Sequence, residues 1–87
     1  MKCSFDGEFA DIPENIKAGI VNYVEYNLPP GGFMTAMIQG NLFEAVRRAD
    51  LASRRAIPLV ALWLEQNCPG LCGPANMTEH LSRRVYK

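Results

Sequence analysis

"NLFEAVRRADLASRRAIPLVALWLEQ", residues 41–66, is the stretch on which the fold turns. Its apolar positions run Leu42, Ala45, Ala49, Ala52, Ala56, Leu59 and Trp63, in alternating steps of three and four. That alternation is a heptad-like seam, the pattern of one helix laid against another. Asn41 precedes it as an N-cap, and Glu44 takes the third helical position, so the start approximates a capping box. The reading is one long helix from Asn41 to about Gln66. It should be kinked near Pro58, which lacks the N–H that would bond the Arg54 carbonyl. The alternative is two helices, with Asp50 capping the second. Ile57 to Leu64 is apolar nearly all round, so it is expected to be the most buried part or to lie at a subunit interface.

Upstream, a first helix is well marked. Pro13 suits a first helical turn, and Glu14 favours its positive end. Ile12, Ile16, Ile20, Tyr23 and Val24 then share one face at helical spacing. The helix should end near Tyr26, with Asn27 left-handed and Leu28 folded back on the last turn. Pro29-Pro30-Gly31-Gly32 follows. Neither proline can continue the helix, so the stretch reads as a corner between two helices. The functional alternative is an anion site on the free N–H groups of Gly31 and Gly32. A Gly-Gly without a following Lys or Ser/Thr is weak support for that, and the corner is preferred. The second helix should run through Phe33, Ala36, Met37 and Ile38 to Gly40.

Residues 1–10 show no period and read as an N-terminal arm anchored by Phe5 and Phe9. Downstream, Cys68-Pro69-Gly70 and Gly73-Pro74 are stops. A last helix is expected from Pro74 to Arg84, with Met77, Leu81 and Val85 inward and Arg83 and Arg84 in the final turn.

The chain of 87 residues is 48% hydrophobic and 21% charged, which is globular and not disordered composition. One small helical domain spanning 1–87 is the expectation. The formal net charge is zero, so no global field draws it to nucleic acid. The charge is nonetheless uneven. Residues 1–44 carry two cations against six carboxylates, and residues 45–87 carry seven cations against three. There is no leader-like apolar core near Met1, and no apolar run approaches a membrane span. A cytoplasmic protein is expected.

Chemistry is sparse. Cys3, Cys68 and Cys72 are an odd number, which argues against a disulfide framework. Cys68, Cys72 and His80 lack a fourth zinc ligand, and the cysteine pair is spaced too widely for the usual site. His80, beside Glu79, is expected to be solvated. No serine has the context of a nucleophile elbow, and no carboxylates are marked as an acid–base pair. An enzyme is not expected, nor is a metal or cofactor. Two features remain. Arg47 and Arg54 are seven apart, as are Arg48 and Arg55. On a continuous helix the four make a two-stripe basic ridge suited to carboxylates or phosphates. Phe33, Met34, Met37, Ile38, Leu42 and Phe43 also crowd a short region, to be read as core first and interface second.

Ile12-Pro13-Glu14, Tyr23-Val24, Pro29-Pro30-Gly31, Phe33, Thr35-Ala36, Asn41-Leu42, Ala45 and Ala49-Asp50 form a recognisable series. It resembles a family of small accessory proteins of unassigned function encoded by tailed bacteriophages, and the likeness covers about residues 12–75. The chain departs from that pattern at Asn27-Leu28, at Gly40-Asn41 and after Asp50. The resemblance implies a phage or prophage gene expressed inside a bacterium.

The expectation is therefore an all-α single-domain bundle of about four helices. Its expected role is a non-enzymatic phage accessory protein that inhibits a host defence system, an anti-CRISPR for example. It would do so by binding a host defence protein or ribonucleoprotein complex through Arg47, Arg48, Arg54 and Arg55. The alternatives are a sponge for a nucleotide signal, using Gly31 and Gly32 with arginines on phosphates, and a structural homo-oligomer.

Overall fold

The computed structural model describes residues 2–83, and the expected inward Val85 and last-turn Arg84 lie outside them. Among the described residues there are five α-helices: α1 (Glu14–Tyr26), α2 (Gly32–Gln39), α3 (Leu42–Arg48), α4 (Leu51–Asn67) and α5 (Pro74–Ser82). Short 3-10 turns at Gly7–Asp11 and Pro69–Leu71 precede α1 and join α4 to α5. Among the described residues there is no strand, so the chain is all-helical. No described helix is long and apolar enough to cross a membrane.

α1 supplies one wall of the core. Ile12, just before it, and Ile16, Ile20, Tyr23 and Val24 along it are all buried. Their spacing puts them on one stripe, as the periodicity predicts. The helix stops at Asn27, which adopts the left-handed conformation at φ 54° and ψ 38°. The N–H groups of Asn27 and Leu28 both donate to the Asn22 carbonyl and satisfy the end of the helix. The corner Leu28–Gly31 then leads into α2, where the Gly31 carbonyl accepts from Thr35 N–H at 2.9 Å.

The single long helix over 41–66 is not what forms. The chain breaks at Ala49 and Asp50, both of which have extended ψ angles. The break is local chemistry. The Asp50 carboxylate accepts from Ser53 N–H at 2.7 Å and so starts a new helix in place of continuing the old one. Pro58 does not interrupt α4, which runs through it for 17 residues. The break also shifts the seam. Ala45, Ala49, Ala56 and Trp63 are buried, but Leu42 and Ala52 are exposed and Ser53 is buried in place of Ala52. In Ile57–Leu64 only Val60, Trp63 and Leu64 are buried, and Pro58, Ala61 and Leu62 face out.

One apolar cluster gathers α1, α2, α4 and α5 around Tyr23, Ile38, Val60 and Trp63. Burying each large side chain there contributes about 1.5–3 kcal/mol. α3 supplies no residue to this cluster. The N-terminal segment packs onto it, with Phe5 stacked on Trp63 at a centroid distance of 5.1 Å. The Trp63 indole N–H donates to the Ser4 carbonyl at 2.8 Å, so its one polar group is satisfied under that cover.

α5 is tied to α1 by polar contacts. Asn27 Nδ2 donates to the His80 carbonyl at 2.8 Å. His80 Nε2 lies 2.6 Å from the Tyr23 carbonyl, an acceptor only, so that nitrogen carries the proton and donates. The His80 ring also meets the Tyr23 ring edge-on at 4.7 Å. His80 is thus a structural clamp, not the solvated side chain expected from its neighbour Glu79.

Candidate partner-binding surface

α3 is a short helix with two unlike faces. Asn41 Oδ1 caps it by accepting from Glu44 N–H at 3.2 Å. The capping box is only half formed, because the Glu44 carboxylate turns along the helix to accept from Arg47 and Arg48 instead of returning to Asn41. Ala45 is its buried residue, and Ala49 is buried just beyond its end. These small side chains let α3 lie close to the body, and Ala45 is the one residue of the helix that is buried there.

The outward face carries what Ala45 displaces. Leu42 and Val46 are one turn apart and Phe43 lies three residues before Val46, so the three are neighbours on one side. Phe43 is 86% exposed, Leu42 55% and Val46 38%, and Leu51 at the start of α4 is 60% exposed. Lone exposed apolar residues are ordinary, but an adjoining set on a helix outside the core is a mark of interaction surfaces. Beside Leu42, an apolar hollow of about 180 Å³ opens between Met37, Gly40, Ile57 and Ala61. Of the six crowded apolar residues, Met34 and Ile38 are buried and Phe33 and Met37 pack against the cluster, whereas Leu42 and Phe43 are left outside.

The other side of α3 is charged. Glu44 bonds Arg47 Nη2 at 2.6 Å and Arg48 Nε at 2.8 Å. Hydrogen bonding to Arg47, then to Arg48, holds the Glu44 carboxyl below its ordinary range. Both arginines keep much of their surface free, at 76% and 57% exposed.

The basic ridge is divided. The break at Ala49–Asp50 puts Arg47 and Arg48 on α3 and Arg54 and Arg55 on α4, so the seven-residue register that aligned them does not carry across. Arg54 reaches back to the Ala49 carbonyl at 3.4 Å, and Arg55 is exposed.

A different pair of sequence candidates is brought together. Gly32 opens α2, and a Cβ placed on it would lie 2.9 Å from Arg48 Nη1. Glycine there lets the guanidinium lie across the corner. A polar groove of about 410 Å³ is lined by Pro30, Gly32, Thr35, Asn41, Glu44 and Arg48. The Glu44 carboxylate in this lining opposes a bound phosphate, so the groove suits a neutral or mixed polar group better than an anion. Gly31 is the N-cap of α2 and does not line this groove.

Among the described residues, no three His, Cys, Asp or Glu side chains converge to hold a metal ion. The exposed Phe43 was legible only in part. Its hydrophobic crowding is plain, but its outward direction follows from where α3 ends. No protein-family model matches the chain, and neither a curated protein nor a solved structure matches it significantly.

Proposed function

We propose that the chain is a non-enzymatic binding protein that inhibits a bacterial defence system. It acts in the cytoplasm of the host by docking on a defence protein or ribonucleoprotein complex, an RNA-guided CRISPR complex foremost. The observation that supports a docking role is α3, a helix that buries only Ala45, adds no residue to the main apolar cluster and presents Phe43, Leu42 and Val46 outward. Arg47 and Arg48 border that apolar face and suit carboxylates or backbone phosphates on the partner. An aromatic anchor beside arginines is the composition of binding hot spots. The phage setting rests on the sequence resemblance.

The test is functional. The chain is expressed in cells whose CRISPR system targets an infecting phage, and plaques are counted. Restored plaquing is expected, together with capture of the surveillance complex on the tagged chain. Both should fall by at least about tenfold for Phe43→Asp, in line with a hot-spot loss of more than 1.4 kcal/mol. Circular dichroism should show the fold intact, because Phe43 is not in the core. Unchanged plaquing across the main classes of CRISPR system and other defences would overturn the proposal. A dimer that Phe43→Asp dissolves would give the face to a second copy instead.

A further inference from the structure

The turn between α4 and α5 holds two thiols that the docking face does not use. Leu71 N–H donates to the Cys68 carbonyl at 3.0 Å and Cys72 N–H to the Pro69 carbonyl at 3.2 Å. This tight winding folds Cys72 back over its partner, with its Sγ 3.5 Å from the Cys68 carbonyl oxygen. The turn is pinned on both sides. Tyr23 Oη donates to the Leu71 carbonyl at 2.5 Å, and Gly73 N–H donates to the Ile38 carbonyl at 2.7 Å.

The two cysteines differ in exposure. Cys68 is 5% exposed, whereas Cys72 is half-buried and lines a cleft of about 360 Å³ with Met37, Glu65, Pro69 and Gly73. They also differ in acidity. Hydrogen bonding from Cys68 holds the Cys72 thiol below its ordinary value, while the same contact and burial push Cys68 up. Cys3, the third thiol, is raised to about 11 by burial and by the neighbouring Glu25 carboxylate. Cys72 therefore combines partial exposure, a place in the lining of an open cleft and a second cysteine one turn away.

We propose that Cys72 and Cys68 are a peroxide-reactive dithiol, with Cys72 oxidised first and Cys68 closing a disulfide. The Cys72 thiolate attacks one oxygen of a hydroperoxide in the cleft. The O–O bond breaks, the leaving oxygen takes a proton and departs as water or an alcohol, and Cys72 becomes a sulfenic acid. The Cys68 sulfur then attacks the Cys72 sulfur. The S–O bond breaks, hydroxide leaves with the Cys68 proton as water, and an S–S bond remains. The two sulfurs together lose two electrons, and the hydroperoxide gains them. The product ties the end of α4 to the start of α5 beside the cleft.

The experiment maps the cysteines of the native protein by mass spectrometry after hydrogen peroxide. A parallel sample of untreated protein is labelled with iodoacetamide. The expected result is a link between 68 and 72 within one chain, seen as the loss of two hydrogens, with Cys3 still free. Cys72→Ser should abolish the link, and Cys68→Ala should leave a sulfenic acid on Cys72 that dimedone captures. Iodoacetamide should label Cys72 roughly tenfold or more faster than Cys3 or Cys68. Labelling of Cys3 first, or a 68–72 link that forms only in urea, would overturn the proposal. The labelling order is read on the unsubstituted chain and does not depend on whether the variants fold.

Discussion

Asn27 carries two roles that can be separated by substitution. Its backbone takes the left-handed turn that ends α1, and its amide holds the His80 carbonyl of α5. Asn27→Gly keeps the first and removes the second, whereas Asn27→Ala removes both. Chemical denaturation should therefore rank them wild type, then Gly, then Ala, with the hydrogen bond contributing about 1 kcal/mol and the Ala backbone strain a further ~1 kcal/mol. Tyr23 gives a pH-dependent test. Its phenol is raised from an ordinary 10 to about 12, first by burial and then by Cys72 and Cys68. A raised acid contributes stability that is complete below pH 10 and is lost as pH climbs toward 12. Tyr23→Phe loses the bond to Leu71 and should be about 1 kcal/mol less stable at pH 8. Its deficit relative to the unsubstituted chain should shrink between pH 10 and pH 12, and a deficit that widens there would contradict the assignment. The left-handed turn was legible in the sequence because Asn-Leu-Pro is a local signal. The partner of the Asn27 side chain was not, because it lies 53 residues away.

At the level of elements, the α3–α4 junction shows where pattern reading fails. A break with a capped restart preserves a spacing of three and four across the join, so periodicity cannot distinguish it from a continuous helix. The deciding feature is Asp50, whose side chain competes with the helix for backbone N–H groups. Asp50→Ala should lower the melting temperature by about 5 °C, the ordinary effect of removing an N-cap in a domain of this size. Pro58 leads to the opposite expectation. It sits on the exposed face of α4 and leaves the Arg54 carbonyl without its helical donor. Pro58→Ala restores that donor and should raise stability by about 1–3 kcal/mol in a thermal melt. A loss on substitution would mean that the ring is needed where it stands. The register that aligned Arg47 with Arg54 ends at Ala49 with the long helix, so spacing alone no longer places the four arginines on one ridge. The pairing of Gly32 with Arg48 was not legible either, because it depends on the packing of α3 against α2.

For the whole molecule, the radius of gyration of 12.1 Å is that of a tightly packed chain of this length. So small a body buries a modest share of its surface, and each peripheral segment counts. Removing residues 1–9 strips Phe5 and the Ser4 carbonyl from Trp63. The expected cost is about 3 kcal/mol or more, with tryptophan emission shifted to the red as water reaches the indole. Unshifted emission would show that Trp63 stays covered without the segment. Helix content and the α1 stripe were readable from the sequence because they are local. The polar bonds that tie the ends of the bundle together were not, because each joins residues distant in the sequence.

Those bonds bear on how the protein is made. Ser4–Trp63, Tyr23–Leu71 and Asn27–His80 join residues 59, 48 and 53 positions apart, and each binds an early part of the chain to a late one. A ribosome adds about 5–20 residues each second, so the apolar stripe of α1 is synthesised seconds before its partners exist. During that interval Ile16, Ile20 and Tyr23 have nothing in their own chain to pack against except one another and the residues of α2. Docking of α1 against α4 and α5 therefore waits until those later helices have been made.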